Sequence, residues 1–541
     1  MNIATILQAQ ALARPQQPAL IDGRRSLTYA ELEQATAAVA AQMQASGLCS
    51  GERVLVFVPM SADLYIILGA IFRLGLVAVF LDPSAGRAHI ERCCTMLPPR
   101  AFVGTTQAHL LRFVVPALRR IPLAFSVGRL PILGAHTITY TPRPLPGSGS
   151  AGDHSRPTAP ALITFTSGST GQPKAVARSH AFLIEQHRVL AKHLALRPGA
   201  IDLATLPIFV LANLASGLTT LIPATNLQKP GAADPVPIVQ QVQQYRATSL
   251  AASPALLARV AAYCQQQHLT LPTLHKVFTG GAPVFPALLQ QVQQIAPHAE
   301  VVAVYGSTEA EPIAHISYPQ MGADDMARMQ QGAGLLAGPP VEDIALRIMP
   351  DQWGTPLAPL RAAAFQAQCL PAGAAGEIVV SGAHVLRGYI DGRGDQETKF
   401  QVVEANGTLT TWHRTGDAGY LDAAGRLWLL GRCAARLPQA DGVLYPFTVE
   451  CALSFDAQVR RSAVVTNAGR RVLLVELTNT HPLSIALIQE VCAWASIDEV
   501  RGYRELPVDK RHNAKIDYTA LHALLKQRPR WQMTLRLQPA N

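Results

Sequence analysis

The sequence predicts an α/β protein of largely parallel sheets, followed by a smaller α+β region. Three observations carry this. Short apolar runs of strand length alternate with amphipathic segments of helix length through most of the chain. At 541 residues the chain is long enough for two to four domains at about 150 residues each. After Gly431 the texture changes to a compact stretch with its own strands and helices. The domain boundary is expected near Arg432–Arg436, dividing the chain into 1–431 and 432–541.

In chain order, Tyr29–Ala45 has helical periodicity and Val54–Val58 is strand-like. Leu64–Leu81 is the longest apolar stretch, but Arg73 interrupts it, and a spanning helix needs about 20 apolar residues without a central charge. It reads as a buried helix, Leu64–Phe72, and a buried strand, Leu76–Leu81. Thr141–Pro160 is rich in Pro, Gly and Ser and reads as a loop. Ala161–Thr166 and Val301–Tyr305 are strand-like and Pro286–Ile295 helical. In the last region, Ser462–Thr466 and Val472–Glu476 are strands, and Leu483–Ser496 and Tyr518–Lys526 are helices.

Composition bounds the function. Apolar residues are 49% and charged residues 15%, which excludes a disordered chain and implies large cores. The net charge of +10 is scattered, apart from short pairs such as Arg119-Arg120 and Arg470-Arg471, so nothing asks for nucleic acid. The eight cysteines are dispersed with no CxxC pair, which fits reduced thiols in the cytoplasm rather than disulfides or structural zinc. Met1–Arg14 lacks the basic start and apolar core of a secretory signal.

The strongest local signal is the string Thr166-Ser-Gly-Ser-Thr-Gly-Gln-Pro-Lys174, directly after an apolar strand. Small residues let backbone wrap an anion, hydroxyls and successive N–H groups donate to phosphate oxygens, and Lys174 adds a full charge. A Walker A loop needs Gly-Lys-Ser/Thr; Pro173 before Lys174 and Ala175 after it exclude one.

That string resembles the phosphate-binding signature of the adenylate-forming superfamily, which includes acyl-CoA synthetases, nonribosomal adenylation domains and luciferases. Its signature usually ends Lys-Gly, where this chain has Lys174-Ala175. Further resembling segments follow in order: Leu206-Pro-Ile-Phe209, Gly280-Gly-Ala-Pro283, Tyr305-Gly-Ser-Thr-Glu309, Gly376-Glu377, Gly388-Tyr389, Thr415-Gly-Asp417, Gly431-Arg432 and Lys515. The resemblance implies a large N-terminal part (two related α/β subdomains and a small barrel-like one) and a mobile α+β C-terminal lid. It also implies ATP and Mg2+. Thr166, Ser167, Gly168, Ser169, Thr170, Gly171 and Lys174 would bind the phosphates. Gly281, Ala282, Pro283, Tyr305 and Gly306 would hold adenine, with Asp417 and Arg432 at the ribose. Phe209 would line the acyl pocket, Glu309 would ligate Mg2+ beside Thr308, and Lys515 would be the mobile catalytic lysine.

These residue types suit the chemistry. A carboxylate attacking ATP meets charge repulsion, so the protein must cancel charge and position the groups in line. Magnesium takes hard oxygen ligands such as Glu309. A lysine swung in from a small domain would bridge the acyl carboxylate and the α-phosphate as charge builds. Taken singly, Tyr305 would read as core, Thr415-Gly-Asp417 as a surface turn and Lys515 as a solvated lysine; the ordered series separates them from those readings.

Two segments set this chain apart from acyl-CoA synthetases. Phe209 is followed by Val210 where they often have His, and the hinge reads Cys433-Ala-Ala-Arg436 where Asp or Lys often follows Gly-Arg. A finer resemblance is to the β-lactone synthetases of bacterial long-chain olefin biosynthesis. It lies in Trp412–Leu421, Gly425–Trp428, Gly442–Tyr445, Glu450-Cys451, Leu81-Asp-Pro83 and Arg511-His-Asn-Ala-Lys-Ile516. It implies adenylation of a fatty or 3-hydroxy fatty acid, then ring closure by the substrate's own hydroxyl. It also implies thiolase, reductase and decarboxylase partners. The alternatives are a fatty acyl-CoA or acyl-AMP ligase, with CoA as a further substrate, and an inactive acyl- or nucleotide-binding homologue. His413 and His512 are weak candidates for the hydroxyl's base, and Glu311 has no assigned role.

Overall fold

The computed structural model describes residues 2–23, 25–82, 85–128, 131–140, 156–167, 173–227, 229–439, 442–478, 485–508, 516–526 and 533–535. The chain forms two compact units. One comprises residues 1–224 with 383–396, the other 225–382 with 397–541. The fold is the mixed α/β architecture that the sequence predicts.

The first unit is organised by a sheet in the order 136–137, 123–127, 101–105, 53–57, 77–80, 160–167, 173–179. All its strands are parallel neighbours except the last pair, 160–167 and 173–179, which form an antiparallel hairpin. Parallel strands covered on both faces carry unbroken apolar runs, and Val54, Leu55 and Val56 are all buried. The helix Ala62–Arg73 starts at a Ser61 cap and is buried along almost its whole length, which explains the apolar stretch without a membrane. It packs on Tyr29–Ala45, which begins with a Thr28–Glu31 capping box. Gly69 permits the close approach, since a Cβ there would lie 2.8 Å from the Thr36 methyl. Among the described residues, no helix is long and apolar enough to cross a membrane. A second set of strands in this unit runs in the order 201–204, 219–221, 18–21, 26–28.

The second unit holds three described pieces that matter here. Strands 249–252, 276–280 and 300–307 run parallel, and 310–317 returns antiparallel to 300–307. A mostly antiparallel sheet orders its strands 335–338, 427–432, 409–421, 376–381, 345–349, with 399–403 also on 409–421. Beyond it, strands 459–467, 470–477, 499–503 and 533–535 form a four-stranded sheet. The helices Pro446–Leu453 and Ile485–Ala495 contribute Val449, Leu453 and Val491 to its core. The predicted strands and helices fall within a few residues of the observed ones. Tyr29–Ala45, Pro286–Ile295 and Tyr518–Lys526 coincide with theirs.

Candidate active site

In the first unit, Thr166 pairs with Lys174 and Ser167 with Pro173 across the hairpin. The two ends of the glycine-serine string are therefore held at the carboxyl end of a parallel strand, where open α/β sheets bind ligands. Gly168, Ser169, Thr170 and Gly171 lie outside the described residues. The Lys174 ammonium stands 5.6 Å from the centroid of the Tyr389 ring, a cation–π distance. Tyr389 is fixed in turn by its backbone N–H, which donates to Asp395 at 2.9 Å. A Cβ at Gly394 would lie 2.5 Å from the Lys174 nitrogen, so a side chain there would make this lysine move. Phe209 lies buried near the start of the helix Pro207–Ser216, whose buried face is apolar except for Asn213. The Asn213 amide donates to Asp202 at 2.6 Å.

In the second unit, the predicted nucleotide residues come together. Gly281, Ala282 and Pro283 follow the strand 276–280, which is the parallel neighbour of the strand carrying Tyr305. Gly280 pairs with Val304, and a Cβ there would lie 2.5 Å from the Val304 carbonyl, so glycine is required for the close approach. The Tyr305 hydroxyl donates to Asp417 Oδ2 at 2.8 Å. Asp417 and Arg432 are direct cross-strand partners, with Arg432 Nε 3.2 Å from Asp417 Oδ1. Arg432 also donates to the Thr415 carbonyl at 3.3 Å. Burial, and then the Asp417 charge, push the Tyr305 phenol well above its ordinary range, so it stays a donor. The Asp417 carboxylate, with weaker help from Tyr305 and Glu309, holds the Arg432 guanidinium firmly charged. Thr415 caps the turn: it donates to the Ile378 carbonyl at 2.9 Å and accepts from the Asp417 N–H at 3.1 Å.

Ser307 pairs with Ala310, so Thr308 and Glu309 form a two-residue hairpin turn. The Ser307 hydroxyl accepts the N–H of Glu309 at 3.3 Å and of Ala310 at 3.2 Å, which sets the turn. A hydroxyl and a carboxylate are thus consecutive in a turn at a strand end, and the carboxylate lies within electrostatic reach of Arg432. This is a hard-oxygen donor set, suited to a Mg2+ ion that takes its other ligands from phosphate and water. No group of three or more metal-ligating side chains occurs among the described residues. Glu311 follows on the return strand, half-buried.

The segment after Arg432 is tied to the rest of its unit at Asp351. Arg436 donates to Asp351 Oδ1 at 3.1 Å and the Tyr445 hydroxyl to Oδ2 at 2.9 Å. Gly431 has φ +119°, and a Cβ there would lie 2.5 Å from that of Phe447. Lys515 and His512 lie outside the described residues. The stem on either side of them is closed by the Val508–Ile516 bridge and by the Asp517 N–H donating to the Pro507 carbonyl at 3.0 Å. His413 is buried, with Nδ1 3.0 Å from the Lys399 nitrogen and 3.1 Å from the Thr398 carbonyl. Burial and that ammonium keep it neutral. The sequence reading missed Tyr389 and Thr415 as site residues, although both sit inside the motifs it quoted.

The AMP-binding enzyme family matches residues 7–390. The chain is 33% identical over 540 residues to an olefin beta-lactone synthetase of Stenotrophomonas maltophilia (strain K279a), covering 95% of this chain and 96% of that protein. It is 32% identical over 548 residues to an olefin beta-lactone synthetase of Xanthomonas campestris pv. campestris, with the same coverage. In fold it is similar to the anthranilate CoA ligase AuaEII, solved in complex with anthranoyl-AMP. The TM-score there is 0.78 at 18% identity, over 97% of each chain. The chain belongs to the AMP-binding enzyme family and is an ATP-dependent adenylate-forming enzyme.

Proposed function

We propose, from that membership, that this enzyme adenylates a 3-hydroxy fatty acid and closes it to a β-lactone. The observation that carries the reading is the near-full-length similarity to olefin beta-lactone synthetases. In the first step a carboxylate oxygen attacks the α-phosphorus and pyrophosphate leaves. In the second the substrate's own 3-hydroxyl attacks the acyl carbon, loses its proton, and AMP leaves. An internal nucleophile needs no thiol acceptor. The double anchoring of the segment after Arg432 on Asp351 suits a site that need not be rebuilt between steps.

Each residue has a task under this reading. Thr166 through Gly171 and Lys174 hold the triphosphate by N–H, hydroxyl and ammonium donors. Gly281, Ala282, Pro283, Tyr305 and Gly306 frame the adenine. Asp417 accepts from the ribose hydroxyls, and the Tyr305 and Arg432 contacts hold its carboxylate in place for this. Phe209 faces the acyl chain. Thr308 and Glu309 would hold Mg2+, which spreads charge over the phosphate oxygens. Lys515 stabilises the pentavalent charge. Its replacement, Lys515→Ala, is expected to lower ATP–pyrophosphate exchange by about 10²–10³-fold, as for a lost oxyanion donor. We place the enzyme in the cytoplasm, with thiolase, reductase and decarboxylase partners supplying and consuming its substrate and product.

The deciding experiment incubates the enzyme with ATP and a 2-alkyl-3-hydroxy acid, with and without CoA. AMP and a product lighter by one water, formed without CoA, are expected. A thioester formed only with CoA would sink the lactone and leave a fatty acyl-CoA ligase.

A further inference from the structure

The helix Thr106–Val114 lies on the first unit with its inner side built from Ala108 and His109. Thr105 caps it, its hydroxyl accepting the Ala108 N–H at 3.3 Å. His109 Nε2 bonds the Phe125 carbonyl at 3.0 Å, and its ring meets Phe102 edge-on. A surface helix docked in this way normally turns a polar face to water. This one turns out Leu110, Phe113 and Val114, which are 60%, 80% and 56% exposed. They stand at i, i+3 and i+4, so they form one patch rather than scattered exposed residues. Leu133, on the connection between strand 123–127 and the edge strand 136–137, is fully exposed as well.

The chain that builds this end of the sheet carries charge of one sign. Between Glu91 and Asp153 the sequence holds no acidic residue and seven arginines. That stretch supplies the three strands at one end of the sheet, 136–137, 123–127 and 101–105, together with their helices. Arg119 and Arg120 are exposed at the end of the short helix that packs directly against Thr106–Val114. Exposed aliphatic and aromatic side chains beside exposed arginines are the signature of an interfacial helix. A protein partner would more often meet a patch with mixed charge.

We propose that this edge of the sheet binds an anionic membrane surface, with Leu110, Phe113 and Val114 entering the headgroup–acyl boundary while Arg119 and Arg120 meet lipid phosphates. The proposal is independent of which acid the enzyme activates.

Sedimentation with vesicles tests it. The purified full chain is expected to pellet with phosphatidylcholine vesicles containing phosphatidylglycerol and far less with phosphatidylcholine alone. Raising salt should release it. Leu110→Ser with Phe113→Ser is expected to weaken binding about tenfold or more, and Arg119→Glu with Arg120→Glu by a similar factor. ATP–pyrophosphate exchange with a short water-soluble acid should stay at the parent level in both. Phe113→Trp, at an exposed position that tolerates it, should show a blue-shifted emission on the anionic vesicles. No binding to those vesicles, binding that survives both double variants, or an unshifted tryptophan overturns the proposal. So does a concentration-dependent dimer abolished by the serine variant, which would assign the patch to a second copy of the chain.

Discussion

Two arginine–carboxylate pairs share the strand Leu409–Leu421, only three residues apart, and the proposed function gives them opposite jobs. Arg414 and Glu377 are 0% and 2% exposed. Arg414 donates to both Glu377 oxygens at 3.1 Å, again at 2.6 Å, and to the Thr355 carbonyl at 2.6 Å. Its guanidinium is 5.4 Å from the Trp353 ring centroid. Arg432 and Asp417 are 59% and 20% exposed and share one contact at 3.2 Å. In the first pair the donors and acceptors are spent on each other and on the backbone, so it can only hold the sheet together. In the second, the groups still facing water are those a ribose or phosphate would use. Exposure and unspent hydrogen-bonding capacity, rather than charge, separate a structural pair from a binding one.

The largest effect that would test this contrast is on stability. Arg414→Ala leaves the Glu377 carboxylate buried without its cation, and should cost about 3–5 kcal/mol in urea unfolding. Replacing both partners with apolar residues of similar volume should recover most of that. Asp417→Asn should do the reverse. Its unfolding free energy should stay within about 1 kcal/mol of the parent, because Arg432 is 59% exposed and the amide oxygen still accepts from Tyr305. ATP–pyrophosphate exchange should fall about 10–100-fold with the loss of charge-assisted bonds to the ribose. A large stability loss with normal exchange would erase the distinction between the two pairs.

The site was more legible in the sequence than the fold's supporting chemistry, for a physical reason. The residues proposed to bind phosphate and nucleotide sit in short strings at strand ends, where small and polar types are demanded locally. Thr166–Lys174, Gly281–Pro283, Tyr305–Glu309 and Thr415–Asp417 therefore stand out as local strings. Long periodic elements were equally legible: Tyr29–Ala45 has its capping box and Ala62–Arg73 its continuous burial. Partnerships between distant residues were not. Nothing near Glu377 announces Arg414, 37 residues away, and nothing near Asp351 announces Arg436 and Tyr445. His413 shows the same limit. As a histidine beside a motif it suggested a base, yet its neighbours across the sheet make it a buried neutral ring.

A third carboxylate sharpens the comparison, because it is withdrawn from water with a neutral partner. Glu450 is on the helix Pro446–Leu453 and accepts the Tyr518 hydroxyl at 2.7 Å. Burial pushes its carboxyl up to about 7, and the Tyr518 bond offsets only part of that. The sign of the linkage follows from which state holds the proton. Below the ordinary carboxylate range both folded and unfolded chains are protonated here, and Glu450 costs nothing. As pH rises towards 7 the unfolded chain releases a proton that the folded chain keeps, so stability falls. Glu450→Gln, which preserves an acceptor for Tyr518, should remove that fall. The variant should gain about 1–2 kcal/mol on the parent between about pH 4.5 and 7.5. The gain is smaller than the full shift because the side chain keeps partial access to water. Urea unfolding of both proteins across that range measures it. A constant difference between them would mean that Glu450 titrates as an ordinary solvated carboxylate, and that withdrawal from water without a cation leaves no mark here.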